Sequence, residues 1–239
     1  MGIIRRYRTA WSRHHRSRGF GIHSPYAYKF VREVLGERLP FYAYDHIVAL
    51  RKTVIAQSGS RWPHSGIITV KHAQMLYRIV NHFNPSHMLQ VGAGSGLSSA
   101  CMLAVNTQSS LSLYEPALDS KPVVGRMLAT MGDRVQCYDD MAATLAGYKG
   151  LLQQNDVPFV LVNDLQSHDD YQALLDYLSA VVASRAVIVL RNVHRQSLLK
   201  QLWLALKDAA PKGQTFTNEK LAIIHANPKL QREDFFLWL

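Results

Sequence analysis

Cysteine is nearly absent from this chain: Cys101 and Cys137 are its two thiols, in no spacing that would hold a metal, so a zinc module or disulfide framework is excluded. Both fall inside predicted core elements and read as buried free thiols. No run of about 18 apolar residues occurs, which excludes an ordinary membrane-spanning helix. No apolar leader with a cleavage site opens the sequence, and a cytoplasmic location is the expectation. Internal repeats and low-complexity tracts are missing too. Ser95 lies in Gly-Ser-Gly rather than a Gly-x-Ser-x-Gly elbow, so a hydrolase triad has no support. Acids are scarce, 17 against 27 Lys and Arg, for a net charge of +10.

That imbalance has a location. Arg5, Arg6, Arg8, Arg13, Arg16 and Arg18 fall within residues 1–18 with no acid among them, and Tyr7, Trp11, His14 and His15 are interleaved. Without those six arginines the chain carries +4, so the basicity is mostly an arm. Such an arm suits nucleic-acid phosphates or an anionic surface; the plainer alternative is a solvated tail that packs locally.

With 48% hydrophobic residues, the chain can bury one full core. Three units follow: a basic arm over 1–18, a helical lid or side wall over 19–84, and an α/β domain over 85–239. Ser24 followed by Pro25 predicts a helix over 25–36, an N-cap hydroxyl ahead of the imino acid tolerated in a first turn. His23 beside it reads as a packing or capping residue. Further helices are predicted over 41–57 and 70–83, with a turn-rich break over 58–66 between them.

The stretch from His87 to Glu115 organises the rest. It reads as a strand over 88–91, a loop with Gly92, Gly94 and Gly96, a helix over 97–106, and a strand over 111–114 that ends on an acid. Glycines at alternate positions let backbone approach a ligand closely, and the next helix aims its free N–H groups there. Glu115 can accept hydrogen bonds from both hydroxyls of a ribose. Beyond it helices over 118–131, 141–153, 169–182 and 196–209 alternate with strands over 134–138, 159–163 and 186–190. Two closing strands are predicted near 215 and over 221–225. Such alternation implies a doubly wound, mostly parallel sheet with an antiparallel hairpin at the C-terminal end. Its strand ends carry the glycine loop, Glu115, Asp139 and Asp140, Asn163 and Asp164, and Arg191 and Asn192, where ligands of such sheets bind.

Gly-x-Gly-x-Gly resembles motif I of class I S-adenosylmethionine (SAM) methyltransferases. The segments beginning Gly19-Phe-Gly-Ile-His-Ser-Pro-Tyr, Phe41-Tyr-Ala-Tyr-Asp, Ala73-Gln-Met-Leu-Tyr-Arg and Leu89-Gln-Val-Gly-Ala-Gly-Ser-Gly, with Ala186-Val-Ile-Val-Leu-Arg-Asn-Val-His-Arg, extend the resemblance to a bacterial group of these enzymes. It covers nearly the whole chain from about Arg18. The resemblance implies a three-layer, seven-stranded Rossmann-like domain with an N-terminal helical extension and SAM as cofactor. Gly92, Gly94 and Gly96 would lie under the amino-acid end of SAM, Glu115 on the ribose, and Asp139 or Asp140 on the adenine amine. Gln90 and Asn163 stand where the family pattern has acids, and Arg191-Asn192 replaces an Asp-Asp pair. Asn218 takes a further Asp position, and the segment around 58–68 is shortened.

Amides keep the shape of a carboxylate without its charge, and arginine reverses it. A divalent-metal-assisted transfer is therefore not expected. The favoured reading is SAM-dependent methyl transfer to an unidentified acceptor that enters beneath the N-terminal helices. Asp164, His168 and His194 are the candidate bases. Two alternatives stand beside it. One is an inactive relative that binds a partner, nucleic acid or membrane surface through its arm; the other is a different nucleoside enzyme, such as a dehydrogenase with Glu115 on an NAD ribose.

Overall fold

A computed structural model describes residues 3–57 and 67–238, with backbone alone for residues 3–9. The predicted break over 58–66 lies outside the described residues. Four helices come first: α1 (Ile3–Ser17), α2 (Pro25–Lys29), α3 (Ala43–Gln57) and α4 (Val70–Phe83). The alternating part runs β1 (His87–Val91), α5 (Leu97–Leu103), β2 (Ser110–Tyr114), α6 (Pro122–Ala129), β3 (Val135–Tyr138), α7 (Met141–Leu151) and β4 (Phe159–Val162). It closes with α8 (His168–Val182), β5 (Ala186–Arg191), α9 (Ser197–Ala209), β6 (Gln214–Thr217), β7 (Leu221–Ala226) and β8 (Glu233–Phe236).

All eight strands form one sheet in the order β3-β2-β1-β4-β5-β7-β6-β8. β7 alone runs against its neighbours β5 and β6, and β8 runs parallel to β6. The expected mostly parallel sheet with an antiparallel C-terminal pair is present, but it has eight strands rather than seven. The added strand, β8, has no apolar alternation to announce it. Its acids are held by side chains instead: Thr215 Oγ1 donates to Asp234 Oδ1 at 2.6 Å, and Lys207 Nζ lies 2.8 Å from Asp234 Oδ2.

Strand alternation divides the core into two layers. Met88, Phe159, Leu161, Val187, Val189 and Ile223 face the N-terminal helices, which bury Phe30, Ile47, Leu76 and Tyr77 against them. Leu89, Val160, Val162, Ile188, Leu190 and Ile224 face α7, α8 and α9. The segment from α2 to α4 thus forms an outer wall of the sheet's own core. Local differences from expectation have identifiable causes. The helix over 25–36 begins as expected, with Ala27 N donating to Ser24 Oγ, but passes into a π-helix at Phe30–Leu35. Buried Arg78, from α4, donates to the carbonyls of Val34 and Leu35 that end that turn. The helix over 118–131 is divided into a 3-10 turn at Leu118–Ser120 and α6, which starts at Pro122. Cys101 is buried as expected, whereas Cys137 is exposed, because β3 is an edge strand.

The arm is helical and its end is docked. Arg13 lies 3.1 Å from Glu219 and 3.7 Å above the centre of the Phe236 ring, and Trp238 N donates to Ser17 Oγ at 2.6 Å.

Candidate active site

Strand order reverses between β1 and β4, and the glycine loop sits on the carboxyl side of that switch. Gly92, Gly94 and Gly96 all have positive φ, at 81°, 59° and 76°. A Cβ at Gly92 would stand 2.9 Å from Cβ of Asp164, and one at Gly96 would stand 2.9 Å from Sδ of Met127. Only glycine satisfies both the left-handed turn and this close packing.

Glu115 follows β2 directly, and its carboxylate turns back to the loop. Ala93 N donates to Oε2 at 3.0 Å, Ala117 N donates to Oε1 at 3.3 Å, and Lys121 Nζ lies 2.8 Å from Oε1. The carboxylate is buried, while Lys121 is one-third exposed. A long lysine with an exposed head can swing away at small cost, so Oε1 is available to a ligand donor. Alongside, Tyr114 OH donates to Asp170 Oδ2 at 2.6 Å; burial and that acid push the phenol above its ordinary pKa.

The period of two along each strand places Gln90, Asn163 and Arg191 on one face, toward α5. Gln90 Nε2 donates to Gly92 O at 2.9 Å and to Ser98 Oγ at 3.2 Å, and Ser99 Oγ donates to Gln90 Oε1 at 2.9 Å. Asn163 Nδ2 donates to the same Gly92 O at 2.8 Å and to Ser98 Oγ at 3.0 Å. Arg191 Nη1 donates to Asn163 Oδ1 at 2.7 Å. Asn192, at φ 61°, donates from Nδ2 to Asn163 O at 3.3 Å. The network therefore clamps the first glycine's carbonyl from below and ends in a buried guanidinium. Burial pushes Arg191 down to about 10, which leaves it protonated at neutral pH.

The remaining predicted residues are placed as follows. Asp140 caps α7, accepting from Ala143 N at 2.7 Å, while Asp139 is exposed beside it. Asp164 packs against Gly92 and accepts from Gln166 Nε2 at 2.9 Å and from Gln196 Nε2. His168 opens α8 and His194 follows β5, both exposed and outside the buried network. Burial first, then the charges of Arg195 and Lys220, holds His194 below the usual histidine range.

Sequence reasoning missed His72. It lies in the first turn of α4, where its N–H meets the Thr69 cap, and is held at about 4, first by burial, then by Arg191, Lys71 and Lys220. No motif marks it; its place beside Arg191 arises only in the tertiary structure. Gln90, Asn163, Arg191 and Asn192 bring amides and a guanidinium to these strand ends, which are poorer ligands for a divalent cation than carboxylates. Among the described residues no group of three or more His, Cys, Asp or Glu could hold a metal.

No protein-family model matches the chain, and no curated protein is similar to it by sequence. Solved structures do resemble it in shape. An O-methyltransferase from Bacillus cereus in complex with S-adenosylhomocysteine (SAH) is 12% identical with a TM-score of 0.54, covering 81% of this chain and 96% of that one. A methyltransferase from Geobacter sulfurreducens is 19% identical at a TM-score of 0.53, covering 82% and 95%. The SAH-bound methyltransferase PaMTH1 from Podospora anserina is 14% identical at 0.50, covering 80% and 99%. At these identities the likeness is one of fold: this chain adopts the Rossmann-like architecture of methyltransferase structures.

Proposed function

We propose that the protein is a SAM-dependent methyltransferase acting on an oxygen nucleophile. The observation that carries the reading is the buried Glu115 carboxylate, fixed by Ala93 N at 3.0 Å beside a loop whose three glycines all take left-handed conformations. Likeness in shape to an O-methyltransferase in complex with SAH supports it. The residues present fit the cofactor. Gly92, Gly94 and Gly96 leave room for its amino-acid end, and Glu115 Oε1 would take the ribose hydroxyls once Lys121 turns outward. Asp139, which is exposed and does not cap α7, is better placed than Asp140 for the adenine amine. Gln90 and Asn163 spend their amides on Gly92 O and Ser98, so we assign them to positioning the loop.

Bound there, SAM supplies an electrophilic methyl group. The chain's part is alignment: loop and carboxylate fix the donor, and the α5-side face at the ends of β4 and β5 receives the acceptor. Arg191 brings a fixed positive charge to that face, so this reading needs no divalent cation. Calorimetric titration with SAM and SAH tests it: saturable one-to-one binding is expected, and no heat at millimolar ligand would overturn it.

The arm belongs to the proposal as a contact for nucleic acid or another anionic surface. Exposed Arg16 and Arg18 have no carboxylate partner among the described residues, and Trp11 is 65% exposed. Replacing Arg5, Arg6, Arg8, Arg16 and Arg18 by Ser is expected to abolish salt-sensitive binding to RNA or anionic vesicles. Equal binding by that variant would remove the arm from the account.

A further inference from the structure

Arg191 is a buried cation that has no anionic partner among the described residues. Its side chain lies on the sheet face toward α5, at the ends of β4 and β5, and its hydrogen-bond partner there is Asn163 Oδ1, a neutral amide. No carboxylate pairs with it among the described residues, and residues 58–66 contain no Asp or Glu to supply one. Cys101, which lies in its field, cannot neutralise it either: burial pushes that thiol up to about 12, so it stays protonated. The surroundings add positive charge instead. Arg191 pairs in register with Leu221, and Val193 N donates to Lys220 O, which brings the Lys220 turn to the end of β5. His72, at the start of α4, lies close enough to feel both Arg191 and Lys220, and with burial they keep it neutral, so it supplies no counter-charge. An ion withdrawn from water carries a large desolvation penalty unless an opposite charge and hydrogen bonds compensate it. A guanidinium offers a planar fork of five N–H donors suited to two oxygens of one anion.

We propose that Arg191 is the docking residue for an oxyanion on the methyl acceptor, a carboxylate or a phosphate that is itself the methylated group. The inference rests on the methyl-transfer reading for its chemistry, though not for its binding. In the transfer, a lone pair of the acceptor oxygen forms the bond to the methyl carbon, and the electron pair of the carbon–sulfur bond returns to sulfur. The sulfonium becomes a neutral thioether and the oxyanion a neutral or less charged ester. No proton moves, so no general base is required. That agrees with an Asp164 already engaged by two glutamine amides and with histidines 168 and 194 that stand outside the network.

The experiment is thermal melting and calorimetry of the full chain with sodium acetate, sodium benzoate and sodium phosphate against sodium chloride at matched ionic strength, with and without SAH. Saturable binding by the carboxylates or by phosphate, beyond chloride, is expected, and the better series identifies the oxyanion. Asn163→Asp supplies an internal carboxylate to Arg191 and should weaken anion binding at least tenfold while the protein stays folded. Arg191→Gln should do the same if it folds. Chloride-like behaviour of every anion on the folded wild type, or equal binding by Asn163→Asp, would overturn the inference. If SAH binds and the anions do not, the acceptor assignment falls and the methyl-transfer reading stands. If the anions bind and SAH does not, the anion site at Arg191 stands and the methyl-transfer reading falls.

Discussion

Glu115 and Arg191 are both buried charges at strand ends of one sheet, and they are treated in opposite ways. The carboxylate meets two backbone amides and a lysine; the guanidinium meets one amide oxygen. Compensation of that kind makes a buried charge tolerable, and its absence leaves a demand that something else must meet. The two halves of the site therefore teach different things. The Glu115 half is complete within the chain and holds its shape in advance of a ligand. The Arg191 half has no opposite charge among the described residues, and under the proposed reading that is how it would select a charged partner over a neutral one.

Replacing one member of each arrangement breaks or sharpens this contrast. The largest effect is expected from Glu115→Ala, which removes charge-assisted bonds worth about 1.5–3 kcal/mol and should weaken SAM binding roughly 10- to 150-fold by calorimetry. Unchanged affinity would show that the carboxylate is not the anchor. Next comes Gly92→Ala, which combines a left-handed backbone with a Cβ 2.9 Å from Asp164. A loss of about 1–3 kcal/mol in denaturant unfolding is expected, with weaker SAM binding in the folded remainder. Smallest is Lys121→Ala, which frees Glu115 Oε1 from a partly exposed ion pair. Affinity for SAM should rise, by at most about fivefold, since such pairs contribute about 0.2–1 kcal/mol. A fall would mean that Lys121 contacts the cofactor itself.

Much of the fold was legible because its signals are local. Alternation of strands and helices and the Ser24-Pro25 helix start depend on residues close in sequence. The eighth strand escaped because Glu233-Asp-Phe-Phe has no apolar period; Thr215, Gln214 and Lys207 hold its acids from afar. The π-turn escaped because Arg78, the side chain that holds its last carbonyls, lies more than 40 residues along the chain. At the site, the glycines and Glu115 announce themselves by spacing. The unpaired state of Arg191, the partnership of Lys121 with Glu115 and the approach of His72 are tertiary facts, which no local pattern encodes. The arm shows the same division. Its arginine run was plain, yet the seating of Arg13 between Glu219 and Phe236 depends on the far end of the chain.

The most direct measurement of the central claim is a crystal structure with SAH bound. Both ribose hydroxyls are expected within about 3 Å of the Glu115 carboxylate, with Lys121 turned outward and the amino-acid end over Gly92 to Gly96. A nucleoside bound elsewhere, with the Glu115–Lys121 pair intact, would contradict it.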